Sequence, residues 1–305
     1  VPHRDRGLKA TLVRTARFRC GAETLVCVWR DGDWHAVPAA PGHDREAMLA
    51  ALADPTTALA TARPLEPAAE LQPLMPYLPA RDVFCLGKNY RAHAEEFSRF
   101  SGDAQAVPGA PVVFTKSRWA LCGPRDNLVV APPLAAALDY EVELAVVIGL
   151  GGGEISAETA LDHVAGYSVL NDTTARDLQR LHTQWFLSKS LPKATPWGPV
   201  VVTPDELEPF AEREICSVVN GELRQHARLG QMIFSVQEAI ASISRVLPLQ
   251  PGDLVAMGTP SGVGVGFDPP RFLAAGDNVV CRIEGIGELN NSVVVRGRPP
   301  EGGYH

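Results

Sequence analysis

Two glutamates set one residue apart inside an apolar run are where the chemistry of this chain begins. In Asp139-Tyr140-Glu141-Val142-Glu143-Leu144-Ala145-Val146-Val147-Ile148-Gly149 the β-branched content predicts a buried strand. Side chains alternate along a strand, so Glu141 and Glu143 share one face. Two ionised carboxylates in an apolar setting repel each other and lose hydration, at a cost of several kcal/mol per ion unless a positive charge lies between them. A hard divalent cation is the natural counter-charge, and the plain alternative is a solvent-facing edge strand.

Further along, Ala165-Gly166-Tyr167-Ser168-Val169-Leu170 predicts a second strand, running directly into the helical stretch Asn171-Asp172-Thr173-Thr174-Ala175-Arg176-Asp177-Leu178-Gln179. Asp172 then sits at a strand-to-helix junction. On a helical path Arg176 and Gln179 follow it on the same side, so the three can line one pocket. Taken alone, Asp172 reads equally well as a helix cap. Lys189, in Gln184-Trp185-Phe186-Leu187-Ser188-Lys189-Ser190, reads alone as a solvated lysine. Upstream, the apolar strand Val83-Phe84-Cys85-Leu86-Gly87 leads into a polar helical segment, Lys88 to Phe97. Within it His93 and Glu96 lie close enough on one turn for the carboxylate to orient the imidazole.

In order and spacing, Asp-Tyr-Glu-x-Glu-Leu, Asn-Asp-x-x-Ala-Arg-Asp-x-Gln, Gln-Trp-Phe-x-x-Lys-Ser and Gly258-Thr259-Pro260-Ser261-Gly262-Val263 resemble the fumarylacetoacetate hydrolase family. The resemblance covers roughly residues 82 to 295. It implies that Glu141, Glu143 and Asp172 hold a metal ion, Mg2+ or Mn2+, and that Arg176, Gln179 and Thr259 surround the substrate. Lys189 and a lid dyad, His93 with Glu96, would be catalytic. The implied fold is mainly β with some α, a mixed β-sandwich roll that pairs as a homodimer.

The implied activity is hydrolysis of a C–C bond in an acylpyruvate or related β-diketone 2-oxo acid. Such an acid chelates a cation through its carboxylate and 2-oxo oxygens, which suits an octahedral oxygen-seeking metal. Cleavage releases an enolate that the cation and Lys189 stabilise, while the dyad activates water. The same enolate arises in isomerisation, tautomerisation or decarboxylation of 2-oxo and 2-hydroxydienoic dicarboxylic acids, so these stand as the alternative. A non-catalytic 2-oxo acid binder is a further alternative, and it has no need of an acid–base pair. After Lys189-Ser190 the chain departs from the family pattern with Leu191-Pro192-Lys193-Ala194-Thr195-Pro196-Trp197, which alters one pocket wall. Ser98 to Pro111 is expected to belong to a lid that selects the acyl group.

The elements that must position these residues divide the chain in three. Residues 1–62 read as a small β-rich N-terminal domain, with Arg30-Asp31-Gly32-Asp33 turning between two strands within an alternating stretch over 8–38, then a helix over Arg45 to Leu52. Residues 63–81 carry five prolines, Pro64, Pro67, Pro73, Pro76 and Pro79, and read as an irregular linker. Residues 82–305 form the catalytic domain, whose second helix begins at Ser235 with a capping box to Glu238. Val236, Ala239, Ile240, Ile243 and Val246 give that helix a buried stripe. The glycine run Gly262-Val263-Gly264-Val265-Gly266 lacks a phosphate-loop ending and is expected to offer backbone amides to a substrate carboxylate.

A net charge of −7 without a basic tract argues against nucleic acid or an anionic membrane as partner. The chain shows no apolar run long enough to span a bilayer. Its opening residues, Val1 to Arg6, lack the apolar core of a signal peptide, so the cytoplasm is the expected location. Six cysteines are scattered without a Cys-x-x-Cys pair and read as reduced core residues.

Overall fold

The computed structural model describes residues 13–66, 70–101, 107–130 and 136–295. Residues 8–12 of the alternating stretch and 102–106 of the expected lid segment lie outside the described residues. Two sheets carry the architecture. The larger runs in the order Arg63–Pro64, Asp33–Ala36, Glu23–Arg30, Arg14–Cys20, Thr195–Val202, Val164–Asn171, Val142–Ile148, Leu254–Ala256, Val83–Gly87 and Val112–Lys116. The smaller has Glu222–Arg228, Glu214–Val219, Asn278–Ile283, Gly287–Val295 and Leu128–Val130. This is the sheet-dominated mixture of strands and helices that the resemblance implies.

Alternation along the central strand Val142–Ile148 explains why two layers form on the large sheet. Val142, Leu144, Val146 and Ile148 point into one core with Ile215, Val279, Ile283 and Leu289 of the small sheet. Ala145 and Val147 point the other way, joining Cys85, Ala256 and the helix residues Met48, Ala51 and Leu52. That helix spans Asp44–Ala53, as the sequence predicts. The whole strand is buried, so the edge-strand alternative for the two glutamates is set aside.

The N-terminal hairpin also follows expectation, with Asp31 and Gly32 both at positive φ, 51° and 96°, in its turn. Such a two-residue turn matches the twist of the flanking strands. Arg14–Cys20 pairs antiparallel with Thr195–Val202, so these first strands are continuous with the main sheet. The proline-rich stretch contributes two short strands, Arg63–Pro64 and Gln72–Leu74, on positions where the missing N–H is tolerated. A helix over Pro55–Thr61, capped by Asp54, has no counterpart in the sequence reading.

Two further details differ from expectation. The helix Val236–Ser244 has its Ser235–Glu238 capping box, but Val246 falls beyond the last turn and is exposed. The helix expected from Asn171 starts only at Arg176, because Thr174–Ala175 pairs with Leu138–Asp139 as a short antiparallel ladder. No helix among the described residues is long and apolar enough to cross a membrane. All six cysteines are free, four of them buried.

Candidate active site

Strand register assembles the carboxylates. Val142 pairs with Asn171 and Glu143 with Leu170, and the Asp172 amide donates to the Glu141 carbonyl at 2.8 Å. Glu141 and Asp172 therefore stand opposite each other just past the paired ends of two neighbouring strands. Glu143 lies one step inward on the same face. Each of the three offers an oxygen, all within 4.8 Å of one another and all buried. This cluster can hold a metal ion.

Cations surround it. Lys189 Nζ bridges Glu141 Oε2 and Asp172 Oδ2, at 2.6 Å each. Arg176 reaches Glu141 Oε1 at 2.6 Å, Asp139 Oδ2 at 2.8 Å and Gln179 Oε1 at 2.9 Å. Lys116, the last residue of its strand, donates to Asp172 and, at 2.8 Å, to the Thr173 carbonyl. Lys116 and Asp139 belong to this cluster, and the motif reading assigned neither a role. A lysine closing the apolar run Val112-Val113-Phe114-Thr115 was the available signal, since buried carboxylates demand counter-charges.

Electrostatics separate the three carboxylates. Burial opposes ionisation of Glu141, but Lys189 and Arg176 overcome it and draw its pKa down to about 2. Burial pushes the Glu143 carboxyl well above its ordinary range, and the neighbouring Asp172 and Glu141 charges add to the rise. Burial works against the Lys189 ammonium too, yet Asp172 and Glu141 hold its pKa above the usual lysine value. Of the buried carboxylates Asp139, Glu141, Glu143 and Asp172, three are bonded directly by the buried cations Lys116, Arg176 and Lys189. Glu143 is the carboxylate of the four that none of these three cations bonds, and it accepts from the Gly258 amide at 2.9 Å. The donor set is all oxygen, and a cation beside Glu143 would favour its ionised form, so the residues present fit a hard divalent cation.

The His93–Glu96 pair lies on the helix Arg91–Ser101, with Nδ1 3.2 Å from Oε2 and both side chains buried. Glu96 is also held from outside its helix by the Gly262 amide, 3.1 Å from Oε1. The Gly264 and Val265 amides bind Asp139 at 2.6 and 3.0 Å. The glycine run therefore spends these amides on the protein's own carboxylates rather than on a substrate's. Close approach explains its composition, since a Cβ on Gly266 would stand 2.0 Å from Glu96 Oε1. Thr259 donates from Oγ1 to the Val142 carbonyl at 2.9 Å and accepts from Gln225 Nε2 at 2.7 Å.

One recess brings these groups together. His93, Glu141, Glu143, Asp172, Arg176, Gln179, Lys189 and Thr259 all line it. Of the residues expected from sequence, only Glu96 stands behind the wall, against His93.

Comparison with known proteins agrees with the geometry. The family model described as fumarylacetoacetate (FAA) hydrolase C-terminal matches residues 82–294. Oxaloacetate tautomerase YisK of Bacillus subtilis is 46% identical over 215 residues, covering 70% of this chain and 70% of that protein. A mitochondrial oxaloacetate tautomerase of Bos taurus is 43% identical over 239 residues, covering 78% and 74%. Among solved structures, a fumarylacetoacetate hydrolase from psychrophilic Exiguobacterium antarcticum superposes with a TM-score of 0.80 at 38% identity, covering 93% of this chain and 100% of that one. A 5-carboxymethyl-2-hydroxymuconate delta-isomerase from Mycobacterium smegmatis gives 0.73 at 31%, with coverage of 93% and 100%.

Proposed function

The chain belongs to the fumarylacetoacetate hydrolase family, and from that premise we propose that it is a divalent-metal-dependent tautomerase of a short 2-oxo dicarboxylic acid of the oxaloacetate type. The observation that carries this reading is the sharing of one recess by an imidazole with a carboxylate behind it and a carboxylate cluster flanked by cations. The names of the relatives move the weight from hydrolysis to the alternative that the sequence left beside it.

Keto–enol exchange moves one proton between C3 and the 2-oxo oxygen, with no other change in atoms. Glu96 accepts the Nδ1–H of His93, which leaves Nε2 with the lone pair to take the proton from C3. An ionised carboxylate can only accept, which favours this tautomer. Lys189 supplies a positive charge for the oxygen on which negative charge collects as C3 loses its proton. Arg176 and Gln179 fix each other and orient Glu141, so the acid meets a preformed surface. Glu141, Glu143 and Asp172 would hold Mg2+ or Mn2+, which when bound lowers the energy of negative charge on the 2-oxo oxygen.

A second reading, hydrolysis of an acylpyruvate with the same pair activating water, is favoured by the solved Exiguobacterium neighbour. One experiment separates them. Enzyme with magnesium is offered oxaloacetate and a panel of acylpyruvates in isotopic water, the enol band is followed by absorbance, and products are identified by mass spectrometry. Accelerated relaxation of the oxaloacetate enol band with an unchanged product pool is the expected result. Two acids, one carrying a solvent oxygen, as the dominant outcome would replace the tautomerase reading by the hydrolase one. Dominant carbon dioxide release would make it a decarboxylase.

A further inference from the structure

We propose that Tyr140 is a positioning residue for the general base, holding Glu96 against His93 through the backbone of Gly262, an inference that rests on the tautomerase reading above. Three hydrogen bonds in series carry it. The Tyr140 hydroxyl donates to the Gly262 carbonyl at 3.1 Å. The Gly262 amide donates to Glu96 Oε1 at 3.1 Å and to Oε2 at 3.3 Å. Glu96 Oε2 in turn stands 3.2 Å from His93 Nδ1.

The series begins in the stretch Asp139-Tyr140-Glu141. Glu141 enters the carboxylate cluster, while the two residues before it grip the glycine run. Asp139 takes the Gly264 and Val265 amides, and Tyr140 takes the Gly262 carbonyl. Tyr140 is fully buried in the same core as Leu144 and Val146. Phenylalanine would fill that space, and a hydroxyl buried there costs free energy unless it is bonded. It is bonded twice, because Arg224 Nη1 donates to it at 3.3 Å while its own proton goes to Gly262. Core packing alone therefore gives no reason for the hydroxyl.

Gly262 can transmit the hold because its surroundings leave it little room. Its φ of 101° belongs to the region that favours glycine, and a Cβ there would lie 2.0 Å from the Arg224 carbonyl oxygen. A glutamate side chain turns about several bonds, and the helix fixes only its root. The Gly262 amide fixes the carboxylate end. Since Glu96 accepts the Nδ1–H of His93, its position decides which ring nitrogen carries the proton. Tyr140 thus acts on the lone pair at Nε2 without itself lining the recess.

Oxaloacetate relaxation by the magnesium-loaded protein, together with nitrogen NMR of the labelled His93 ring, tests this in wild type, Tyr140→Phe, His93→Ala and the double variant. Tyr140→Phe is expected to lower kcat by about threefold to tenfold, the range of one neutral hydrogen bond, with KM and magnesium affinity within about twofold of wild type. The share of His93 protonated at Nδ1 falls in the same variant. In the His93→Ala background Tyr140→Phe lowers kcat no further, because residues that act as one unit are not additive. An unchanged ring signature overturns the role of Tyr140. So does an equal loss of kcat in both backgrounds, since a merely structural effect is indifferent to His93. A loss of magnesium affinity overturns it too, by placing the effect at Glu141. Near-normal turnover by His93→Ala, or none by wild type, overturns the tautomerase reading, and the ring signature of Tyr140→Phe then decides the hold on Glu96 by itself.

Discussion

Replacing Lys116 with methionine isolates the electrostatic frame of the site from its chemistry. Lys116 is fully buried and gives its ammonium to Asp172 and to the Thr173 carbonyl. Methionine fills nearly the same volume, so the packing cost is small. What remains is a buried carboxylate that has lost one of its two ammonium partners, and breaking a buried pair in this way costs about 3–5 kcal/mol. For a chain of this length each kcal/mol lowers Tm by about 2–3 °C, so a fall of roughly 6–15 °C is expected without added metal. The variant also makes the cluster more negative. A unit charge about 5 Å from a divalent ion is worth several kcal/mol even at an effective dielectric near 20. Magnesium should therefore stabilise Lys116→Met more than it stabilises the wild type, and narrow the gap. Calorimetric melting with and without magnesium measures both effects. A Tm within about 2 °C of wild type, or a gap that magnesium widens, would refute the claim that Lys116 balances Asp172.

Glu143→Gln should separate stability from metal binding, because Glu143 is the carboxylate least compensated by protein cations. The amide can still accept from the Gly258 amide, which lies 2.9 Å from Glu143 Oε2, so the metal-free variant is expected to be at least as stable as wild type at neutral pH. Its magnesium affinity should fall by about tenfold or more by titration, and unchanged affinity would remove Glu143 from the ligand set. His93→Ala should slow turnover by about a hundredfold or more, the usual contribution of a general base, while oxalate binding persists. Glu96→Gln should be milder, since glutamine can still accept from the His93 Nδ1–H and the Gly262 amide. Near-normal turnover of His93→Ala would exclude it as the base.

What the sequence reveals and what it conceals follow from the range of the interactions. The glutamate pair is legible because strand alternation is local, and one face of Val142–Ile148 is filled by valine, leucine and isoleucine while the other begins with Glu143. The His93–Glu96 pair is legible because one helical turn defines it. The start of the helix at Arg176 is not. Asn171 and Asp172 look like caps, but their side chains serve elsewhere: Asn171 Oδ1 accepts from the Glu141 amide at 3.0 Å, and Asp172 is claimed by two ammoniums. With the caps engaged and β-branched Thr173 and Thr174 following, the backbone stays extended until Ala175.

Lys116 shows the other limit, since its partner is brought to it by a sheet order in which three strands intervene between Val112–Lys116 and Val164–Asn171. No spacing rule reaches across such a distance. Charge does, because four carboxylates packed beside one another require cations from somewhere in the chain. A lysine or arginine placed at the end of an apolar strand is the residue type that meets the requirement without exposing the core. Arg81 is a second instance: its guanidinium salt-bridges the buried Asp253, just before the strand Val83–Gly87 and at the start of Leu254–Ala256. There the pair fastens two parallel neighbours at the end opposite the recess. The same device therefore serves the frame and the site, and what sets the site apart is Glu143, a buried carboxylate that accepts from the Gly258 amide and that none of Lys116, Arg176 and Lys189 bonds.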